Sequence, residues 1–547
     1  MRKTLSIVLS LIMVLSLGIV AVHADDAPTP VANAEDFAGM AADGNYKLTA
    51  DITLTATYST TFTGTLDGDG HTVTISAPIF KTLTGATISN LKIEGTAAAG
   101  NNHSGALSIQ GSKLTITNVT NNANVTSTKS SAYLGGIVGS VQTGKGTWEV
   151  HEVSTFTNCV NNGEINSEGS SGTPRMGGIV GNAAKYQHCI YNKCVNNGKI
   201  LCDFNIGAYT GGIAGSTFGG EAHECVNNGE IDAPKSTGWV GGILARLTPS
   251  AQGTDQSFLF DKCVNNGKLS IATDEAVTSG YIGGISAGTG TAEFTASDSD
   301  PKKPTYAVYT FDGCVNNGEI VAGGNYAGGI LGYVYGQNKI EGRAHYQYAV
   351  VTNCTNKGKI TGLKNIDPIA LFNADATKNP GANAATYTSQ FIGYTNANCT
   401  VIKDSIGAGE IVNVNDDYKV IFGLSSATAA EYQVSGNKVI EGTKNFSYAC
   451  DAYAKDGSNY TLNLTTSTDA ETGAVTVTGD RSFNRIPLTA DLADKVQVLT
   501  AAEMNALLNP SQGGSTPTTG DAAIWFAVVG AVALLGMAVA VKTVKSK

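Results

Sequence analysis

Between residues 115 and 425 the apolar residues come in short runs punctuated by Gly and Asn, with no 3.6-residue periodicity running through them. Such runs predict short strands joined by tight turns rather than helices. One run returns as NCVNNGEI (158–165), KCVNNGKI (193–200), ECVNNGEI (224–231), KCVNNGKL (262–269), GCVNNGEI (313–320) and NCTNKGKI (353–360). Degenerate copies flank it, NVTNNANV at 118–125 and DSIGAGEI at 404–411. A second run follows each copy: GGIVG at 135 and 177, GGIAG at 211, GGILA at 241, GGISA at 283 and GGILG at 328, with weaker echoes at 391–395 and 422–426. Two strand-forming runs per period, stacked many times, predict an all-β solenoid. The period is too uneven for a propeller blade or a leucine-rich horseshoe.

The residue after the repeat glycine is Glu164, Lys199, Glu230, Lys268, Glu319, Lys359 and Glu410, alternating in sign without a break. In a parallel stack, equivalent residues on successive coils lie ~4.8 Å apart. Opposite charges at that spacing attract, and like charges repel, by some tenths of a kcal/mol per pair. The alternation therefore predicts one coil per repeat, with this ladder on an outer face. The repeat glycine and its asparagines are expected to supply the positive φ of a sharp corner. Stacked asparagines can also hydrogen-bond up the column. The Ile two places beyond that glycine and the Ile of GGI are expected in the core.

Cys159, Cys194, Cys225, Cys263, Cys314 and Cys354 share one register, and the degenerate copies carry Val119 and Ser405 there. That is how a small core filler behaves, so buried thiols are expected instead of a disulfide framework. No metal is expected either, because zinc needs four ligands converging on a point and this column is a line. Off register, Cys189 and Cys202 are the candidates for a bridge.

Outside the repeats, NAEDFAGMAAD (33–43) reads as a short amphipathic helix with Asn33 as N-cap. Alternating strands with Asp-Gly hairpin turns follow it. A helix over the first coil would shield an open strand edge. Residues 426–510 are expected to form a C-terminal β cap or a small module.

The GGIVG run coupled to N-C-x-x-x-G-x-I resembles the GLUG repeat of bacterial surface proteins, over roughly residues 115–425. The resemblance implies a right-handed parallel β-helix. The chain ends fit a surface protein. Arg2 and Lys3, an apolar run and Val22-His23-Ala24 read as a signal peptide cleaved between Ala24 and Asp25. Residues 522–541 are apolar and uncharged, followed by Lys542, Lys545 and Lys547, which reads as a membrane-spanning helix with a cytoplasmic basic tail. Before it stands Thr516-Pro517-Thr518-Thr519-Gly520, and the series resembles the LPxTG cell-wall sorting signal of Gram-positive surface proteins, with Thr516 in place of Leu. That resemblance implies sortase cleavage between Thr519 and Gly520 and attachment to peptidoglycan. The expected organisation is a leader (1–24), an N-terminal cap with the first coils (25–114), the repeat β-helix (115–425), the cap or module (426–510), a linker with the sorting motif (511–521), the span (522–541) and the tail (542–547).

Composition then narrows the function. A net charge of −10 with only 15% charged residues argues against a nucleic-acid binder. The mature histidines share no register, and no HExxH, phosphate loop, GxSxG or cofactor motif is present. Asp67 and Asp69, in LDGDGH, read as turn residues. Insertions gather between GGI and the next Cys, at 142–155, 246–258, 287–310 and 335–350. Loops on a rigid scaffold are where binding tends to sit. Their aromatic and imidazole side chains, Trp148, His151, Phe258, Tyr306, Tyr309, Tyr335, Tyr346 and Tyr348, are the candidate contacts. The expected function is a wall- or membrane-anchored adhesin or display scaffold with a glycan or a surface protein as ligand. The alternative is an extracellular carbohydrate-active enzyme of β-helix type.

Overall fold

A computed structural model describes residues 27–98, 103–129, 131–142, 152–169, 172–184, 187–204, 207–249, 256–274, 277, 279–290, 305–334, 339–340, 343–363, 386–395, 397, 399–413, 419–424, 431–441, 444–448, 464–468, 475–479 and 496–509. One repeat makes one coil. Strand Gln187–Asn192 turns at Lys193 into the two-residue strand Val195–Asn196, and turns again into Ile200–Phe204. Tyr209–Gly211 and Ala214–Thr217 complete the circuit, and Gly220–His223 begins the next. Each strand pairs in parallel with its equivalents in the coils before and after, as in Ile165↔Ile200↔Ile231 and Val160↔Val195↔Val226. The molecule is therefore mostly β, a parallel solenoid. One extended sheet is built from the first three strands of every coil, and two ten-stranded sheets from the fourth and fifth. Antiparallel pairing is confined, among the described residues, to 339–340 with 343–344 and to the hairpin 464–468/475–479.

The corner is not made as the sequence suggests. Positive φ falls on the residue before the column cysteine: 52° at Asn158, 54° at Lys193, 51° at Glu224 and Lys262, 63° at Gly313 and 54° at Asn353. The repeat glycine is needed for a different reason, the close approach of successive coils. A Cβ on Gly198 would collide with the carbonyl oxygen of Gly163, and one on Gly229 with that of Gly198, a relation repeated up to Gly409 on Gly358. The Asp-Gly segment after Asp67 is likewise a coil corner, with Asp69 at 49° and Gly70 at 82°. No hairpin forms there: Thr65–Asp67 and Thr72–Ile75 both pair in parallel with the long strand Thr87–Ala98.

Inside the coil each recurrent letter has its own column. The six register cysteines are buried free thiols, and the thiol of each donates to a carbonyl of the preceding coil, as Cys225 Sγ to Tyr191 O at 3.3 Å and Cys263 Sγ to Ala222 O at 3.2 Å. Burial pushes the thiols of Cys194, Cys263 and Cys354 well above the ordinary range. Cys189 and Cys202 are not bridged. They sit on the first and third strands of one coil, stacked beside Ser154 and Ser167, and burial raises both thiols to about 12.

The two asparagines do different things. The first is fully buried, and its amide donates up the column, from Asn161 to Asn196 and from Asn196 to Asn227 at 2.8 Å, and also to the carbonyl of its own repeat glycine. The second is exposed and donates the other way, from Asn197 to Asn162 and from Asn228 to Asn197 at 2.8 Å. Two amide rows therefore run side by side in opposite directions. Beside them the charge ladder pairs Lys199 with Glu230 at 3.1 Å, Lys268 with Glu319 at 3.3 Å and Lys359 with Glu410 at 3.0 Å. Glu164, the first charged member, donates its backbone N–H to the side-chain oxygen of Asn124, which holds the same place in the preceding coil.

At the N-terminal end the helix covers only Ala34–Ala38, shorter than the sequence pattern, because Gly39 ends it. Asn33 caps it by accepting from the Glu35 and Asp36 amides at 2.9 Å. Phe37 is buried, 5.6 Å from the Phe80 ring and 6.2 Å from that of Tyr58. Towards the other end, parallel stacking continues through Glu431–Ser435, Asn437–Ile440, Lys444–Tyr448 and Val496–Leu499. A separate C-terminal unit contains the helix Ala501–Leu508, closed at its start by a capping box between Thr500 and Glu503. No helix among the described residues is long and apolar enough to cross a membrane. The expected leader, sorting motif and span lie outside the described residues.

Candidate functional site

The positions expected from the insertions divide three ways. Phe258 and Tyr309 are core, not surface: both are fully buried and their rings stack at 5.1 Å. Each begins an inward-facing pair two residues apart, Phe258/Phe260 and Tyr309/Phe311, because the strand already starts inside what reads as an insertion. Tyr306 and Tyr346 are register partners in adjacent strands, and Tyr348, half-buried, is paired with Val308 and Cys399. Trp148, His151 and Tyr335 lie outside the described residues.

Sequence reasoning passed over a different surface. The two ten-stranded sheets meet at the GGI bend, where glycines bring their backbones together. A Cβ on Gly139 would stand 2.7 Å from the Ser104 amide nitrogen, and one on Gly215 2.5 Å from that of Met176. On the solvent side of this bend, the first residue of each short strand forms an unbroken register column. Its members are His103, Tyr133, Arg175, Tyr209, Trp239, Tyr281, Tyr326 and Tyr387. The next residue along each strand points the other way and is buried (Leu134, Met176, Val240, Ile282). Facing this column across the bend is a second one, from Gln110 through Ser140, Asn182, Ser216, Arg246, Gly288 and Tyr333 to Tyr394. The two columns line a groove along the solenoid.

The contents of the groove change along its length. Towards the N-terminal coils its floor is small and polar: Ser140, Asn182 and Ser216 are buried beneath half-exposed side chains. The Arg175 guanidinium lies 4.9 Å from the Tyr133 ring centroid and 5.6 Å from that of Tyr209, and donates to Asn182 Oδ1 at 2.5 Å. Arg246 approaches Tyr209 from the following coil, 4.8 Å from its ring, and donates to its hydroxyl at 2.8 Å. Towards the C-terminal coils aromatic rings fill the groove, with Trp239–Tyr281 at 4.7 Å, Tyr281–Tyr333 at 4.8 Å and Tyr326–Tyr394 at 4.6 Å. The sequence did hold a signal: in 133–136, 175–178, 209–212, 239–242, 281–284 and 326–329 the residue two before GG is always Tyr, Trp or Arg.

A second cluster lies on the outer face of the extended sheet. Glu221 takes His223 Nε2 at 2.9 Å and His188 Nε2 at 3.5 Å, and His223 Nδ1 lies 3.8 Å from Asp261. Hydrogen bonding from His188, then from His223, holds the Glu221 carboxyl down at about 2, and Glu221 raises His223 in turn. No group of three or more His, Cys, Asp or Glu able to hold a metal is found among the described residues.

No family model matches the chain, and no curated protein matches it. Among solved structures, a match is found to "a putative immunoglobulin A1 protease from Bacteroides ovatus", 16% identical, over 61% of this chain and 78% of that one, with a TM-score of 0.30.

Proposed function

We propose that this chain is a cell-surface display protein of the GLUG-repeat type: a right-handed parallel β-helix, exported, tethered at the envelope through its C-terminus and presenting a binding surface. One observation supports this reading above the others. The recurrent Cys, Asn, Gly, Glu and Lys are consumed in holding coil to coil, whereas the groove column stays large and mostly half-exposed while its identity changes from coil to coil. Side chains of that kind, spread along a rigid face, suit recognition of an extended partner. The ligand is a glycan or a protein of another surface, with the inserted loops as further contacts. Anchoring through Thr516–Gly520 would make sortase and peptidoglycan its partners at the wall.

The test is binding of the purified chain to glycan and surface-protein arrays, followed by analysis of each bound ligand for cleavage. Saturable binding without turnover is expected. Absence of any ligand would sink the display reading. Release of oligosaccharide would favour the alternative, an extracellular carbohydrate-active enzyme, for which Glu221 between His188 and His223 is the constellation to mutate first.

A further inference from the structure

Arg175 and Arg246 are permanent cations in a chain of net charge −10, yet no carboxylate among the described residues pairs with either. Each guanidinium uses Nη1 within the groove, on Asn182 and on the Tyr209 hydroxyl, and each keeps a buried Nε–H without a partner. The hydroxyl of Ser216, between Asn182 and Arg246 in the floor column, is also buried and unpartnered. Both arginines are only partly buried, so an anion that reaches them gains charge-assisted hydrogen bonds that the protein itself leaves unmade. Two guanidiniums around one tyrosine ring call for an anion with a planar oxygen pair, because the guanidinium fork matches a carboxylate in two-point geometry.

The repeat of the groove identifies the polymer that carries the anion. Column side chains recur once per coil, about every 4.8 Å, whereas an extended peptide advances ~3.3 Å per residue and falls out of step. A peptide also could not add as a strand here, because the strands around the arginines are paired on both sides in both sheets. A hexose unit of an extended glycan advances by close to one coil, and its C–H faces suit the half-exposed Tyr133, Tyr209 and Trp239. Resting on the display reading above, we infer that the N-terminal half of the groove binds a linear acidic glycan lengthwise, with uronate carboxylates on Arg175 and Arg246.

The test titrates the full chain with polygalacturonate, with the same polymer methyl-esterified, and with poly-glutamate, by calorimetry at low salt and at 0.5 M salt, an added level of roughly the range where screening shortens to a few ångströms. The inference requires binding to polygalacturonate that falls at least tenfold on esterification and weakens with salt. It also requires tenfold or greater loss in Arg175→Gln/Arg246→Gln and a smaller loss in Arg175→Lys/Arg246→Lys, which keeps the charge without the fork. Circular dichroism and thermal unfolding of each variant separate lost binding from lost folding; should the glutamine pair misfold, the lysine pair and the esterified polymer carry the test. Equal binding by the glutamine pair, equal binding of poly-glutamate, or no binding of the polyuronate would each overturn it. In the last case, a neutral ligand found on the arrays would leave the display reading standing while this one fails.

Discussion

At the scale of the residue, the repeated octapeptide is a set of contacts with the coil before, each with its own failure. Gly198 has no room for a side chain, because the Gly163 carbonyl and the Asn161 amide occupy the space. Gly198→Ala must push two coils apart, and overpacking of this kind costs about 1–3 kcal/mol. Gly207→Ala, where nothing lies within 4 Å of an added Cβ, should leave the urea midpoint unchanged. Asn196→Leu keeps the branched outline of the side chain but orphans the buried Asn227 oxygen and the Gly198 carbonyl, so a loss on the order of 3 kcal/mol is expected in the same measurement. The thiol column should be silent to alkylating reagent in the native state. In denaturant without reductant, all six register cysteines together with Cys189 and Cys202 should label; any of these left unlabelled would mean a disulfide that this packing has no place for.

At the scale of the element, the outer ladders add small terms that depend on conditions. Lys199→Glu would place three carboxylates in a row with Glu164 and Glu230, costing up to about 1 kcal/mol. These side chains are about two-fifths exposed, so the loss should shrink as salt is added. The Glu221 cluster responds to pH in both directions. His223 is raised above its ordinary 6.5, so its contribution is whole below that pH and fades as pH climbs through the raised value. Glu221 is lowered from 4.5, so its contribution is whole above 4.5 and is lost towards about 2. Resistance to unfolding should therefore peak between roughly pH 4.5 and 6.5, and Glu221→Gln should flatten the decline above pH 6.5; an unchanged decline would assign it to other groups. The coil was legible in the sequence for the same physical reason that the ladder exists. A sign that alternates from repeat to repeat has meaning only when repeats are neighbours, and the pairs 199–230, 268–319 and 359–410 show that they are. The groove was less legible. Its position relative to GG is constant, but its chemistry passes from His to Tyr to Arg to Trp, so a search for recurring letters slides past it. Phe258 and Tyr309 misled in the opposite sense, since their alternation with Phe260 and Phe311 marks a strand within a stretch whose length suggests a loop.

At the scale of the whole molecule, a stack of parallel coils is stable in its middle and exposed at its ends. Interior strands have both edges paired, whereas the terminal coil offers an open backbone edge and the cut face of a continuous hydrophobic core to any similar chain. At the N-terminal end, among the described residues, the strand Thr29–Val31 is the outermost of its sheet, pairing with Asn45–Leu48, and Tyr58–Phe62 is the outermost of another. The short helix closes this face through one side chain, Phe37, set against Tyr58 and Phe80 with Phe62 stacked behind at 5.2 Å. Five residues cannot hold a helix in water by themselves, so the cap depends on Asn33 and on the burial of that ring. Phe37→Asp should release the helix without disturbing the Asn and Gly columns of the central coils. The far-ultraviolet spectrum would then stay that of a β protein, while sedimentation would reveal concentration-dependent association as uncapped ends meet. Asn33→Ala should do the same more weakly, at a cost of about 1 kcal/mol to the cap. A Phe37→Asp chain that remained monomeric at every concentration would show that the outer strands, and not the helix, keep the rod from growing.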